Sequence, residues 1–396
     1  MRFGSLALLQ SVLASRTEAV ADPVELETGT LLVEEPEALL PEPVPEPALP
    51  EPVLPEHAIP EAPPEVEAPP HVSWGRWEDD DLLPGYQARE MSLVGVTRHP
   101  DEIDPDIGDA SLTATLVRRN RRRHPRAVLS IHGWNDYFFH THVADWWDAL
   151  GYDFYALDLR RYGRNLRPGL MGGYIEDLAD YDLEIDAAVA HVARRHGSVL
   201  MTAHSTGGLT AVLWANRHPG VLDGLVLNSP WIELQGSALV RALVPPLIRS
   251  LATRAATWPL PMPDNGFYAR SIDAAQEGEW TYDPELKRNP SQPVRSGWLT
   301  AVTAGHEQVS AGLDIDCPIL MVTSARSDFR RRWSPDLCRA DTVLDVPRLA
   351  AQAHRLGRHL TLVRIEGAIH DVSLSQEDAR TRYHDELRRW EHAYLR

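Results

Sequence analysis

Cysteine is almost missing from this 396-residue chain, which contains only Cys317 and Cys338. Two such residues exclude a disulfide framework and leave no zinc-ligand spacing. Cys317, just before the apolar run PILMVT, reads as a small buried hydrophobe. Lysine is scarcer still. Lys287 is the one lysine in a chain with 39 basic residues, a bias that reads as codon usage and carries no mechanism. No run of 18 apolar residues occurs, so a membrane-spanning helix is not expected. The net charge is −18, and without a basic stripe a nucleic-acid partner is excluded.

The negative charge is unevenly spread. Residues 22–70 hold 13 acids and no lysine or arginine, which leaves 44 acids against 39 bases elsewhere. The same segment holds 14 of the 32 prolines. Proline lacks an amide proton and fixes φ, and clustered carboxylates repel, so residues 1–75 are expected to be extended and without a core. The start, MRFGSLALLQSVLASRTEAVADP, loosely resembles a secretory signal ending near residue 21. One base and a short apolar core broken by Gln10 and Ser11 argue against it. A cytoplasmic protein is the expectation, with secretion as the alternative.

From residue 76 a globular domain is expected to run to residue 396. Short β-branched runs (TATLV, RAVLSIHG, DFYALDL, SVLMTAHS, GLVLNSP, PILMVTS, LTLVRIEG) alternate with helical patterns. In one of these, Leu178, Tyr181, Ile185, Ala188, Val189 and Val192 form a single stripe, with Gly197 as its stop. Continuous apolar strands separated by helices predict an α/β fold, a mostly parallel sheet covered on both faces. Residues 231–316 are too many for one crossover helix. They predict an inserted helical cap whose aromatic residues line a pocket or fill its core.

The stretch MTAHSTGGLT puts Ser205 at a strand-to-helix junction, where ligands bind in parallel sheets. Small-x-Ser-x-Gly is the nucleophile elbow of α/β-hydrolases, here with Ala203 in place of the first glycine. A serine needs a base and an acid that orients it, in the chain order Ser, Asp, His, each just past a strand. Asp328, in SARSD, and His370, in GAIHDVSLS, fall at those places, with Asp336 and Asp341 as alternative acids. The oxyanion amides are expected from Thr206 and, after His132-Gly133, from Trp134. His132 lies on the wrong loop for a base and reads as structural. His140 and His142 read as surface or cap contacts.

Together HGW, DLRRYGRN, AHSTGG, LVLNSP, SARSD and GAIHDVSLS resemble the monoacylglycerol lipase, lysophospholipase and serine aminopeptidase group of α/β-hydrolases, over roughly residues 90–395. The resemblance implies a triad of Ser205, Asp328 and His370, an oxyanion hole of Trp134 and Thr206, and no metal or organic cofactor. It departs from the lipases at Thr206, where methionine is common, and at Asn135-Asp136. An apolar stretch at 239–252 favours esters with an apolar acyl group as substrates. An aminopeptidase-like activity is the alternative, with Asp273, Glu277, Glu279, Asp283 and Glu285 as the carboxylates for a substrate ammonium. A hydrolase-fold binding protein with a silent triad is the reading from another class.

Overall fold

Side chains along a strand alternate between faces, and here both faces of the central strands are apolar. In chain order the strands are β1 (Val72–Trp74), β2 (Glu78–Asp79), β3 (Tyr86–Leu93), β4 (Thr113–Arg119), β5 (Arg126–Ile131), β6 (Tyr152–Asp158), β7 (Ser198–His204), β8 (Gly224–Asn228), β9 (Ile319–Ser324) and β10 (Leu360–Ile365). The helices are α1 (Thr141–Ala149), α2 (Asp182–Ala193), α3 (Ser205–Arg217), α4 (Ala238–Ala255), α5 (Phe267–Ile272), α6 (Ser296–Ala311), α7 (Val346–Gln352) and α8 (Glu377–Tyr394). These elements come from a computed structural model that describes residues 72–102, 112–119, 123–236, 238–262 and 264–395. The signal-like residues 1–21 and the acidic proline-rich stretch up to residue 71 lie outside the described residues.

Leu129 and Ile131 of β5, Met201 of β7, Leu227 of β8 and Met321 of β9 point to one face, against Ile185 of α2, Val212 of α3 and Val302 of α6. Val128, Leu200, Val226 and Leu320 point to the other, against Trp147 of α1 and Leu387 and Trp390 of α8. This double burial is why the strands read as continuous apolar runs. The expected stripe on residues 178–192 is buried throughout. Its helix closes at Ala193, ahead of Gly197, where His196 Nδ1 lies 2.9 Å from the Val192 carbonyl.

The sheet order is β1-β3-β4-β6-β5-β7-β8-β9-β10, with β2 beside β3. Strands β6 to β10 are parallel, and an antiparallel edge of β1, β3 and β4 completes the sheet. This is the α/β-hydrolase arrangement. The edge begins at Val72, four residues before the expected start of the domain, because Val72 to Trp74 pair with Leu93 to Met91. The chain leaves β5 for β6 on one side and returns to β7 on the other. That reversal opens a crevice at the carboxyl ends of β5 and β7, where Ile131 and Ala203 are paired in register.

The 231–316 insertion divides into two parts. Helix α4, helix α5 and their loops run to Arg295, and α6 then packs on the body. Gly305 of α6 approaches Leu178, Leu209 and Leu213 so closely that a Cβ there would lie 3.0 to 3.3 Å from their methyl groups. Helix α6 is therefore the crossover helix leading into β9, and the cap is shorter than expected.

Candidate active site

Ser205 opens α3 directly after β7 with φ of 53°, a left-handed conformation that costs a non-glycine residue free energy. Its neighbours make the turn sterically feasible. A Cβ at Gly207 would lie 2.1 Å from the His132 carbonyl oxygen, and one at Gly133 would lie 3.1 Å from Ser205 Cβ. The two loops therefore touch, and only glycine allows it.

His370 follows β10. Its Nε2 is 3.0 Å from Ser205 Oγ, and its Nδ1 is 3.0 Å from Asp341 Oδ2. All three residues are buried. The loop bearing His370 is fastened by the next residue, Asp371. That carboxylate accepts from Asn228 Nδ2 at 2.6 Å and from the Ser373 hydroxyl at 2.6 Å, and Asn228 Oδ1 accepts the Val372 amide at 3.0 Å.

Asp341, and not Asp328, faces the imidazole. After β9 the chain passes Ser327, loops out, and returns so that Asp341 bridges Ser327 as a second parallel pass. The Asp341 amide donates to the Arg326 carbonyl and the Asp328 amide to the Asp341 carbonyl, at 3.0 and 2.9 Å. On the first pass, the half-buried Asp328 turns away from the imidazole and is held by Arg330 at 2.6 Å and Arg326 at 3.2 Å. Asp336 is exposed and pairs with Arg330. The expected acid was one pass too early.

Thr206 lies in the first turn of α3, where helix amides have no intrahelical partner. Among the described residues neither its amide nor that of Trp134 has a protein acceptor. Both residues border, with Ser205 and His370, a cavity of about 370 Å³ under the cap. Trp231, Leu260, Val294, Trp298 and Leu299 supply its apolar wall. Trp134 and Trp298 are in ring contact, with centroids 4.1 Å apart.

A family model described as serine aminopeptidase, S33, matches residues 122–329, just over half of the chain. The chain belongs to the serine aminopeptidase S33 family. The phospholipase YtpA of Bacillus subtilis (strain 168) is 30% identical to it over 111 residues, 27% of this chain and 41% of that protein. A monoacylglycerol lipase of Mycolicibacterium smegmatis is 30% identical over 114 residues, 28% of this chain and 39% of its own. The chain thus spans about two fifths of the length of these relatives. The crystal structure of Paleococcus ferrophilus monoacylglycerol lipase superposes with a TM-score of 0.51 at 16% identity, over 71% of this chain and 98% of that one. A soluble variant of monoglyceride lipase from Saccharomyces cerevisiae, with a substrate analog, gives 0.51 at 13% identity, over 76% and 97%. At such identities the likeness is one of fold.

In this S33-family chain the other singled-out residues separate clearly. His132 Nε2 accepts the Leu159 amide at 3.1 Å, so its Nδ1 carries the proton and donates to the Gly133 carbonyl at 2.8 Å. It thereby ties the loop after β5, which carries Gly133 and Trp134, to the end of β6. His140 is not a surface residue, since it faces Asp371 at 3.3 Å. His142 makes the expected cap contact, stacked on Trp280 at 4.0 Å. His204, at 4.8 Å between ring centroids from His370, is pulled down to about 4 by burial, against the opposing pull of Asp371. Of the five carboxylates considered for an ammonium group, none borders the cavity. Glu277 pairs with Arg270 and Glu279 with Arg380. Among the described residues no group of three histidine, cysteine or acidic side chains could hold a metal, and no helix is long and apolar enough to cross a membrane.

Lys287, set aside at the level of sequence, borders the cavity and pairs with buried Asp136 at 2.8 Å. Burial alone would raise the Asp136 carboxyl, but the Lys287 ammonium, with His140, His132 and His204, holds it below the usual range.

Proposed function

We propose that this protein is a serine hydrolase that cleaves carboxylic esters bearing an apolar acyl group, as a carboxylesterase, monoacylglycerol lipase or lysophospholipase does. The observation that carries the reading is His370 standing 3.0 Å from both Ser205 Oγ and Asp341 Oδ2. In the proposed reaction His370 takes the Ser205 proton as Oγ attacks the ester carbonyl. The developing oxyanion is stabilised by the amides of Trp134 and Thr206. The imidazolium then gives its proton to the leaving alcohol, and water activated by the same imidazole clears the acyl-enzyme. Asp341 fixes the tautomer with the proton on Nδ1.

The apolar wall of the cavity supports an alkyl or other apolar acyl group, each buried methylene contributing about 0.8 kcal/mol. The phospholipase and monoacylglycerol lipase relatives point the same way. An aminopeptidase-like reaction is less supported, because the cavity's buried carboxylate, Asp136, is already matched by Lys287.

Labelling with a fluorophosphonate, together with p-nitrophenyl esters of graded chain length and alanine or proline anilides, tests the reading. Labelling should vanish in Ser205→Ala and turnover should fall on the order of 10³-fold or more. The value of kcat/KM should climb with acyl length and then level off. Labelling that survives in folded Ser205→Ala, or anilides cleaved faster than every ester, would overturn it.

A further inference from the structure

The residues that follow Trp134 are held by the cap rather than by the sheet. Asn135 adopts φ of 53°, and its side chain reaches across to the cap backbone. Nδ2 donates to the Arg288 carbonyl at 2.8 Å, and Oδ1 accepts the amides of Arg288 and Gln292 at 3.3 Å each. Asp136, next along, takes the Lys287 ammonium at 2.8 Å. Asp136 is 1% exposed and Lys287 7% exposed. The ammonium otherwise sits near rings, with Tyr268 and Phe139 centroids 5.6 and 5.7 Å away.

A buried ion pair seldom adds stability over an apolar equivalent, so its presence here points to geometry. An oxyanion donor acts only when it is fixed where the charge develops. Two adjacent attachments join one short cap segment to the two residues after the donor. They constrain the peptide plane that carries the Trp134 amide, while the His132 carbonyl against Gly207 constrains the other end of the loop. We propose that the cap segment Lys287 to Gln292 positions the oxyanion hole, with Lys287 and Asn135 as positioning residues that act through Trp134. The proposal rests on the ester-hydrolase reading above.

The test uses the full chain carrying Lys287→Met, Asp136→Asn/Lys287→Met or Asn135→Gly. The double variant removes the buried lone charge that Lys287→Met alone leaves behind. Asn135→Gly keeps the left-handed backbone accessible and deletes only the clamp. Each variant should lose roughly 10- to 1000-fold in kcat on a p-nitrophenyl ester. KM should stay within about threefold, and fluorophosphonate labelling should slow in parallel with kcat. A double variant and an Asn135→Gly protein that both fold and keep wild-type kcat overturn the proposal, as does a change confined to KM. In that case wild-type labelling and ester hydrolysis still stand. A wild-type chain that neither labels nor hydrolyses esters removes the underlying reading, and this proposal with it.

Discussion

Asp341 Oδ2 meets His370 Nδ1 at 3.0 Å, while Asp341 Oδ1 accepts the amides of Val343 and Leu344 at 2.7 Å each. One oxygen is fixed by the backbone so that the other can face the imidazole. Asn at this position would keep the shape but offer an amide N–H or a misplaced oxygen to Nδ1. Asp341→Asn should therefore leave the fold intact and lower kcat by about 10⁴ through loss of tautomer control. Asp328→Asn weakens a pairing with the exposed Arg326 and Arg330 that does not touch His370, so ester turnover should stay within a few-fold of wild type. Steady-state kinetics of the two folded variants decide it, and the reverse ranking would reassign the acid.

Gly207 lies under the loop that carries His132 and Trp134, and the added methyl of Gly207→Ala would sit 2.1 Å from the His132 carbonyl oxygen. Backbone on both sides cannot give way cheaply, unlike a flexible side chain. The substitution should cost about 1 to 3 kcal/mol or more of stability and abolish labelling of Ser205. Ala203→Gly, two residues before the serine, relieves no clash and should retain activity. Thermal melts with parallel labelling would detect both effects. Wild-type melting and labelling in Gly207→Ala would show that the elbow is looser than its geometry implies.

Much of this site was legible because strand ends are legible. Ser205 follows the mostly apolar SVLMTAH and His370 the β-branched LTLVRI, and the parallel strands deliver both to the same end of the sheet. The acid was harder. Asp328 and Asp341 flank the same point, and the choice depends on which pass of a loop lies inward, a property of the Ser327–Asp341 bridge that spacing does not encode. Strand β3 was missed because only Tyr86, Met91 and Leu93 of YQAREMSL are buried, so half-exposed polar residues hide its period. Lys287 was passed over because a single charged residue in a cap carries no pattern until its partner, Asp136, is seen beside it.

The antiparallel edge sets where the amino-terminal side of the domain can be cut. Trp74 pairs with Met91, lies 5.0 Å from the His191 ring and carries the Arg89 guanidinium at 4.8 Å from its ring. A chain beginning at residue 71 keeps these contacts, whereas one beginning at residue 76 loses β1. Residues 23–70 have no apolar periodicity to contribute. The longer chain should match the full-length protein in melting temperature and in kcat/KM on soluble esters. The shorter one should be less stable by about 1 to 3 kcal/mol, the scale of burying one large apolar side chain. Equal melting of both would mean that the edge strand adds nothing.

Acid should destabilise this protein well above the carboxylate range, because several histidines are buried in the neutral form. Burial, the largest cause in each case, lowers His142 and His191 to about 3 and His204, His306 and His384 to about 4. In the unfolded chain these imidazoles titrate near 6.5. Below that value the unfolded state binds protons that the folded state refuses, so stability falls as pH falls. The contribution is fully present above about 6.5 and is lost progressively down to about 3 to 4. Asp371 and Asp136, both held below the usual carboxylate range, extend the loss to lower pH. Urea midpoints measured from pH 7 to 4.5 should therefore decline steeply, with nearly one proton taken up on unfolding per buried histidine at pH 5. His142→Gln should reduce that uptake by about one proton, since His142 stands on α1 stacked against Trp280 of the cap and bonds to neither Ser205 nor His370. A midpoint that stays flat between pH 6.5 and 4.5 would show that these rings are charged in the folded protein.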